Sequence, residues 1–310
     1  MTRRMVVMGA LAGGCDLVGK ASQPRTAVNF AVPAHACDCH THIFGEPDKF
    51  PLFAGRSYTP ENALPAEMTA LHKALHIERV VIVTPSIYGT DNSSTLVGMK
   101  VRGENARGVA VIDERTTEKE LDSMHRAGVR GIRLNLSNGP QSALPPGARL
   151  EAAILRMKAR GWHIQMNVAP AVITRVKDLV MQSAVPVVFD HFGGASFRAG
   201  VEQPGFSDLV ELVRAGKAYV KISISGANIG LPYAGAAPLA KALIAANSER
   251  VLWGTDWPHP DAASGRKATE VSPLKVVDDG EVLNQLPWWA PEAVTRQKIL
   301  VANPARLYGF

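Results

Sequence analysis

Ala36-Cys-Asp-Cys-His-Thr-His42 near the start and Arg250-Val-Leu-Trp-Gly-Thr-Asp256 near the end are the two stretches on which the fold turns. Each is a short strand-like run that finishes on ionisable side chains. In an extended strand, side chains two apart share a face, so His40 and His42 project together while Thr41 points away. If these runs are the first and last strands of one closed parallel barrel, they are neighbours, and His40, His42 and Asp256 meet at one rim. A lone His-x-His is commonly a half-buried pair satisfied locally; the distant Asp256 and the pattern between them give it weight.

Working outward, eight β-branched or apolar runs recur: 36–42, 79–85, 108–113, 129–135, 162–168, 185–191, 219–225 and 250–256. Helical patterns fall between them at 65–75, 118–127, 149–160, 171–182, 207–215, 238–247 and 291–302. Strands alternating with helices argue for a parallel sheet covered by crossover helices, and eight of them predict a (β/α)8 TIM barrel. An open doubly wound sheet is the alternative. It is disfavoured because no Gly-x-Gly-x-x-Gly follows the first run.

The strand ends carry the functional argument. His40 and His42, Ser86, Asp113, Arg133 and Asn135, Asn167, His191, Ser225 and Asp256 all close their runs, and barrel enzymes build their sites at that rim. Ser86, Asp113 and Ser225 individually could be turn formers or caps. Three histidines, an arginine and an aspartate together are harder to account for in that way. The stretches 44–64 and 258–289 are too long for simple connectors and are expected to wall the pocket. His72, His76 and His125 fall on helical patterns as packing or surface residues, His163 begins the fifth run at the wrong end for catalysis, and His259 reads equally as structural or rim.

Bulk properties bound the rest. The chain has 310 residues, 46% of them hydrophobic and 20% charged, enough for one barrel of about 250 residues plus an appendage. Of the net charge of +6, three units come from Arg3, Arg4, Lys20 and Arg25 against Asp16; no basic stripe remains, and no nucleic-acid partner is expected. Three cysteines are too few for a disulfide framework, and Cys37 and Cys39 are expected to face the helices, opposite to the histidines. Residues 1–30 read as an export leader or a disordered extension, with residues 31–310 as the barrel. Arg3-Arg4 followed by a short apolar run suggests a Tat-type start, and Cys15 after Ala-Gly-Gly a lipoprotein-like one, so the periplasm is expected, with the cytoplasm as the alternative. No membrane span is expected.

Cys39-His-Thr-His-Ile-Phe-Gly45, Gly89-Thr-Asp-Asn92, Val129-Arg-Gly-Ile-Arg133, Val188-Phe-Asp-His-Phe-Gly193, Trp253 to Pro260 and Asn303-Pro-Ala-Arg-Leu-Tyr308 together resemble the amidohydrolase superfamily, on the branch of 2-pyrone-4,6-dicarboxylate lactonase and 4-sulfomuconolactone hydrolase. The resemblance spans roughly residue 34 to the end. It implies that His40, His42, His191 and Asp256 line the site, with Asp256 and His191 catalytic and Asp256 the general base. It further implies that Tyr58, Ser86, Tyr88, Thr90 and Arg133 lie near the substrate. Asn167 stands where the pyrone lactonase has a tyrosine, and the further arginines expected near Gly139 and Ala227 are missing, which weakens the case for a dicarboxylate.

The chemistry this implies is hydrolysis of the lactone ester of an anionic, carboxylated or sulfonated, muconolactone- or pyrone-type intermediate of aromatic-compound degradation. Asp256 would take the proton of water, and His40, His42 and His191 would stabilise the oxyanion directly or through one divalent metal, zinc or manganese. A metal-free mechanism stays open at this point. Arg133 offers a planar fork for the substrate's anionic group; Arg130, three residues earlier, should face the helices. The alternatives are a sugar-acid lactone isomerase or decarboxylase on the same barrel, or a non-catalytic binding protein. Oligomeric state is not legible.

Overall fold

The computed structural model describes residues 21–136, 145–262 and 265–310. Its strands are β1 (Cys37–Thr41), β2 (Arg79–Val83), β3 (Ala106–Ala110), β4 (Val129–Asn135), β5 (His163–Asn167), β6 (Val187–Phe189), β7 (Ala218–Lys221) and β8 (Val251–Leu252). They pair in parallel in chain order. The circle closes where Cys39 N donates to Trp253 O (2.9 Å), Asp256 N to His40 O (2.9 Å) and His42 N to Trp257 O (2.8 Å). The (β/α)8 barrel is therefore the fold.

The crossover helices are α1 (Pro65–Ala74), α2 (Ser93–Arg102), α3 (Glu118–Arg126), α4 (Pro146–Met157), α5 (Pro170–Gln182), α6 (Phe206–Arg214) and α7 (Ala236–Asn247). Their starts follow local chemistry. Proline at the first turn opens α1, α4 and α5, where its missing N–H costs nothing. Thr117 caps α3 reciprocally with Glu120. The sequence pattern shows no helix between the second and third strands; α2 fills that gap. Its Gly98 lets it approach closely, since a Cβ there would lie 2.8 Å from the Ile43 side chain. The helix expected over 291–302 begins at Ala293, widens into a π-type turn over Lys298–Ala302 and continues as Asn303–Tyr308.

Two layers of core result. Val80, Ile82, Ile132, Ile164, Met166, Val187, Phe189, Val220 and Trp253 belong to the outer cluster shared with the helices. Alternate strand residues Val81, Val83, Val109, Val188, Tyr219 and Leu252 form a second, inner cluster with Tyr308.

Cys37 and Cys39 belong to that inner cluster, which corrects the expectation that their thiols face the helices. The cause is an irregularity in β1 against β2 between Asp38 and Thr41. Such a bulge adds a residue and re-aims the side chains beyond it. Asp38 thereby faces outward to His72 of α1 (3.2 Å) and Thr41 to Met68 (3.5 Å), while His40 faces inward like Cys39. The thiols remain free and buried.

The leader-like residues 1–20 lie outside the described residues. The remainder of the expected extension is packed: Thr26 donates to Asp278 through its amide (3.0 Å) and hydroxyl (2.8 Å), Asn29 N to Asn284 (2.9 Å), and Trp257 Nε1 to Ser22 O (3.2 Å). Residues 21–30 thus pack against the barrel. Among the described residues no helix is long and apolar enough to cross a membrane.

Candidate active site

A cavity of about 480 Å³ opens at the C-terminal ends of the strands. His42, Tyr58, Ser86, Arg133, Asn135, Asn167, His191, Ser225 and Asp256 line it, with Pro260, Asp261 and Lys275 from the long stretch after β8. Tyr58 comes from the other long stretch, 44–64, and the two stretches pair through Thr59–Pro60 and Val271–Ser272. Both wall the pocket as expected. A second hollow of similar volume, between α2 and α3, takes in Thr90, Asp91 and Asp113.

At the floor of the first cavity three imidazoles converge on one carboxylate oxygen. Asp256 Oδ1 lies 3.5 Å from His40 Nε2, 3.5 Å from His42 Nε2 and 3.7 Å from His191 Nε2. All four side chains are nearly or fully buried. The backbone there is unusual: His191 and Asp256 have φ of 51° and 66°, a region most side chains avoid. At those angles each residue leaves its strand sharply, and the side chain turns over the barrel mouth. Gly254 permits the tight crossing of the last strand past the first, since a Cβ there would sit 2.9 Å from His40 Cβ.

Each ring is oriented from behind. His42 Nδ1 donates to Val83 O (2.7 Å), which leaves Nε2 with its lone pair towards the cavity. His191 Nδ1 meets Ser223 Oγ (2.8 Å). Below His40 lies a polar network inside the barrel: Lys221 Nζ is 3.2 Å from His40 Nδ1, 2.6 Å from Gln165 Oε1 and 3.4 Å from Asp190 Oδ1. Asp190 Oδ2 accepts from Gln165 Nε2 (3.0 Å) and Arg133 Nε (3.2 Å).

Burial governs the electrostatics. It would raise the Asp256 carboxyl, but His191 and the other two imidazoles more than offset it and hold the group well below the usual carboxylate range. Burial pushes His40 well down, and His191 down, from the ordinary imidazole value. Burial opposes the Asp190 charge too, yet Lys221, His40 and Arg133 keep it ionised. Burial raises the Tyr58 phenol, which is hydrogen-bonded with Ser86, so its O–H persists as a donor.

The amidohydrolase family matches residues 37–310. This chain belongs to that family. The amidohydrolase is 34% identical over 284 residues to 4-sulfomuconolactone hydrolase of Rhizobium radiobacter, covering 91% of this chain and 92% of the relative. It is 31% identical over 307 residues to 2-pyrone-4,6-dicarboxylate hydrolase of Comamonas testosteroni, covering 96% of each. A solved structure of a putative 2-pyrone-4,6-dicarboxylic acid hydrolase from Pseudomonas putida superposes with a TM-score of 0.73 at 29% identity, over 89% of this chain and 98% of that one. The expected enzyme class, a carboxylic-ester hydrolase acting on lactones, is the class these relatives carry.

The amidohydrolase brings together His42, His191, Asp256, Arg133, Tyr58, Ser86 and Asn167 around one cavity, with His40 buried against Asp256 behind its lining. Tyr88 and Thr90 are not among its lining. The Tyr88 hydroxyl instead accepts from Gly45 N (2.8 Å), because a 3-10 turn over Ser86–Tyr88 swings it beneath the rim. Thr90 lies past Gly89, whose φ of 58° carries the chain over into the second hollow. Gly139 is outside the described residues, whereas Ala227 lines the cavity. Arg130 donates to His125 O (2.8 Å), facing α3 as expected, though onto a backbone carbonyl. His259 is structural, buried and held by Asp279 (3.0 Å).

Sequence reading passes over Asp38, Gln165, Asp190, Lys221 and Lys275. Gln165, Asp190 and Lys221 each take an inward position one strand pitch below the rim, and a polar residue in that register amid apolar neighbours is the available signal.

His42, His191 and Asp256, with His40, fit one divalent ion in ligand type. Tetrahedral zinc with bonds of about 2.0–2.1 Å sets its ligand atoms roughly 3.4 Å apart, close to the spacings found. Among the described residues His40 Nε2 is also buried without a hydrogen-bond partner. The groups suited to a metal are His40, His42, Asp256 and His40, Asp190, His191.

Proposed function

We propose that the protein hydrolyses the ring ester of a small anionic lactone, carboxylated or sulfonated, of the muconolactone or pyrone type produced in the breakdown of aromatic compounds. The observation that carries this reading is the convergence of His40, His42 and His191 on Asp256 at 3.5–3.7 Å, beside the Arg133 guanidinium in the same cavity. The named activities of its relatives support the lactone as the substrate class.

In this reading Asp256 accepts a proton from water as its oxygen attacks the lactone carbonyl carbon. The carboxylate is ionised throughout the neutral range and so is ready as a base. The developing oxyanion is met by imidazole N–H groups, and the ring C–O bond then breaks, with the leaving oxygen taking up a proton. The product is the open-chain acid. Arg133 grips the substrate's carboxylate or sulfonate, with Tyr58, Ser86 and Asn167 as neutral partners around the ring. A zinc or manganese ion, when bound, supplies Lewis-acid polarisation and lowers the pKa of water at the site. Residues 1–15 support export to the periplasm, which cell fractionation tests.

The experiment is turnover of sulfonated and carboxylated muconolactones and of pyrone dicarboxylates in H₂¹⁸O, with and without chelator. Incorporation of ¹⁸O into the acid product supports hydrolysis. An isomerised lactone without ¹⁸O would replace the reading with lactone isomerisation.

A further inference from the structure

Lys275 enters the cavity from the wall that follows β8, and its backbone there is fixed. Its amide donates to His259 O (2.9 Å), its carbonyl accepts from Ser22 Oγ (3.4 Å), and the neighbouring Leu274 pairs with Pro260 in an antiparallel bridge. His259 is itself buried and held by Asp279 at 3.0 Å. From this anchored base the side chain crosses to the loop after β7, where its ammonium lies 3.5 Å from Gly226 O and 3.4 Å from Asp261 Oδ1.

Those contacts are loose. A charge-assisted N–H···O bond takes about 2.7–2.9 Å, and the ammonium of Lys177 meets Asp208 and Glu211 at 2.9 and 2.6 Å. An ammonium carries three donors, so Lys275 keeps hydrogen-bonding capacity that neither neighbour meets at close range. The Lys275 and Asp261 side chains are 29% and 26% exposed, and an ion pair within reach of water holds its partners only weakly. Asp261 therefore serves as a resting neighbour that an incoming anion can displace.

Arg133 stands on the other side of the same cavity. The strands pair in chain order and close into a ring, so β4, which carries Arg133, lies opposite β8, from which the wall bearing Lys275 departs. Both cations line the cavity, above the floor where the imidazoles meet Asp256. Its volume of about 480 Å³ accommodates one small ring between them.

We infer that Lys275 is a second anion-binding residue of this cavity, which makes the preferred ligand a dianion: one anionic group meets Arg133, the other meets Lys275, and the ring spans the mouth between them. Lys275 then determines specificity, favouring a ring with two anionic substituents over the same ring with one. That the ring is a lactone, with its ester over Asp256, rests on the reading above; the match of two anions to two cations does not.

The test is titration calorimetry of the full chain with isophthalate and benzoate, flat rings that carry two carboxylates and one and that cannot be hydrolysed. The wild type is expected to bind isophthalate about tenfold or more tightly than benzoate, the worth of one charge-assisted hydrogen bond. Lys275→Met should lose that factor on isophthalate and leave benzoate unchanged, while Lys275→Arg, which keeps the charge and the donors, should retain most of it. A collapse of the wall would weaken both ligands alike. Turnover gives the same contrast: Lys275→Met should raise KM for 2-pyrone-4,6-dicarboxylate and not for 2-pyrone-6-carboxylate, with kcat little changed. A wild type that holds isophthalate no better than benzoate, or that binds neither, overturns the inference, as does a Lys275→Met variant that weakens both ligands equally or neither. Absence of turnover on every lactone, with the isophthalate preference present and lost in Lys275→Met, would sink the lactonase reading and leave this one standing.

Discussion

Thr255 is tied twice to Asp38: its amide donates to Oδ1 at 3.0 Å and its hydroxyl to Oδ2 at 2.6 Å. The same carboxylate takes His40 N (3.0 Å) and His72 (3.2 Å). One buried side chain therefore joins the first strand, the turn after the last strand and α1, and it does so directly beneath His40 and Asp256. Thr255→Val removes the hydroxyl bond and leaves part of a buried carboxylate unsatisfied, with an expected loss of about 1–3 kcal/mol. Urea unfolding should show the lower midpoint, and kcat should fall with it because Asp256 loses its support. Stability unchanged within error would refute the staple.

Asp256→Asn tests the base. Asparagine is tolerated at positive φ, so the backbone at φ 66° is retained while the charge is lost. General-base catalysis is worth about 10²–10⁴-fold, and kcat should drop by that much while product or inhibitor binding persists in titration calorimetry. Full turnover in the variant would move the base elsewhere.

Arg133→Met should raise KM for a sulfonated or carboxylated lactone by about tenfold or more, with a much smaller effect on a neutral lactone of the same ring. The neutral substrate controls for the second duty of Arg133, its 3.2 Å contact with Asp190. Equal losses on both substrates would mean that the guanidinium serves the fold and not the ligand.

His163 gives a pH prediction away from the mouth. It is buried with its ring edge-on to Tyr308, centroids 5.1 Å apart, and burial pushes its pKa down to about 3. The unfolded chain takes up that proton near 6.5, so between about 6.5 and 3 the unfolded state binds more protons than the folded one. Stability therefore rises with pH through that window and falls as pH drops. His40 and His191, also held low by burial, add the same sign. Unfolding midpoints from pH 8 to pH 4 should decline, and His163→Gln should flatten the decline by about 1.4 kcal/mol per pH unit well below 6.5. A slope identical to the wild type would show that His163 does not contribute.

The barrel was legible because its strands are β-branched runs that tertiary packing had no reason to override. Their rim residues were legible because the C-terminal ends of the strands in such a barrel all open on one mouth. Two things were not. The helix Ser93–Arg102 follows an Asp91-Asn92 turn and carries Gly98 mid-way, which reads as loop chemistry until the close approach of Ile43 explains the glycine. The facing of Cys37 and Cys39 failed because strict alternation assumes an unbroken ladder, and β1 breaks it between Asp38 and Thr41. The inner network of Gln165, Asp190 and Lys221 sits where a simple barrel would be apolar, and only the meeting of three strands brings its members into contact.

The left-handed backbone at His191 and Asp256 sets two demands on this chain against each other. A glycine at either position would relieve the torsional cost and, by that local measure, give a hardier molecule. Selection for thermal endurance alone would therefore drift towards erasing the residues on which the chemistry depends. At 191 and 256 this chain holds reactive side chains on a backbone that glycine would hold at less cost.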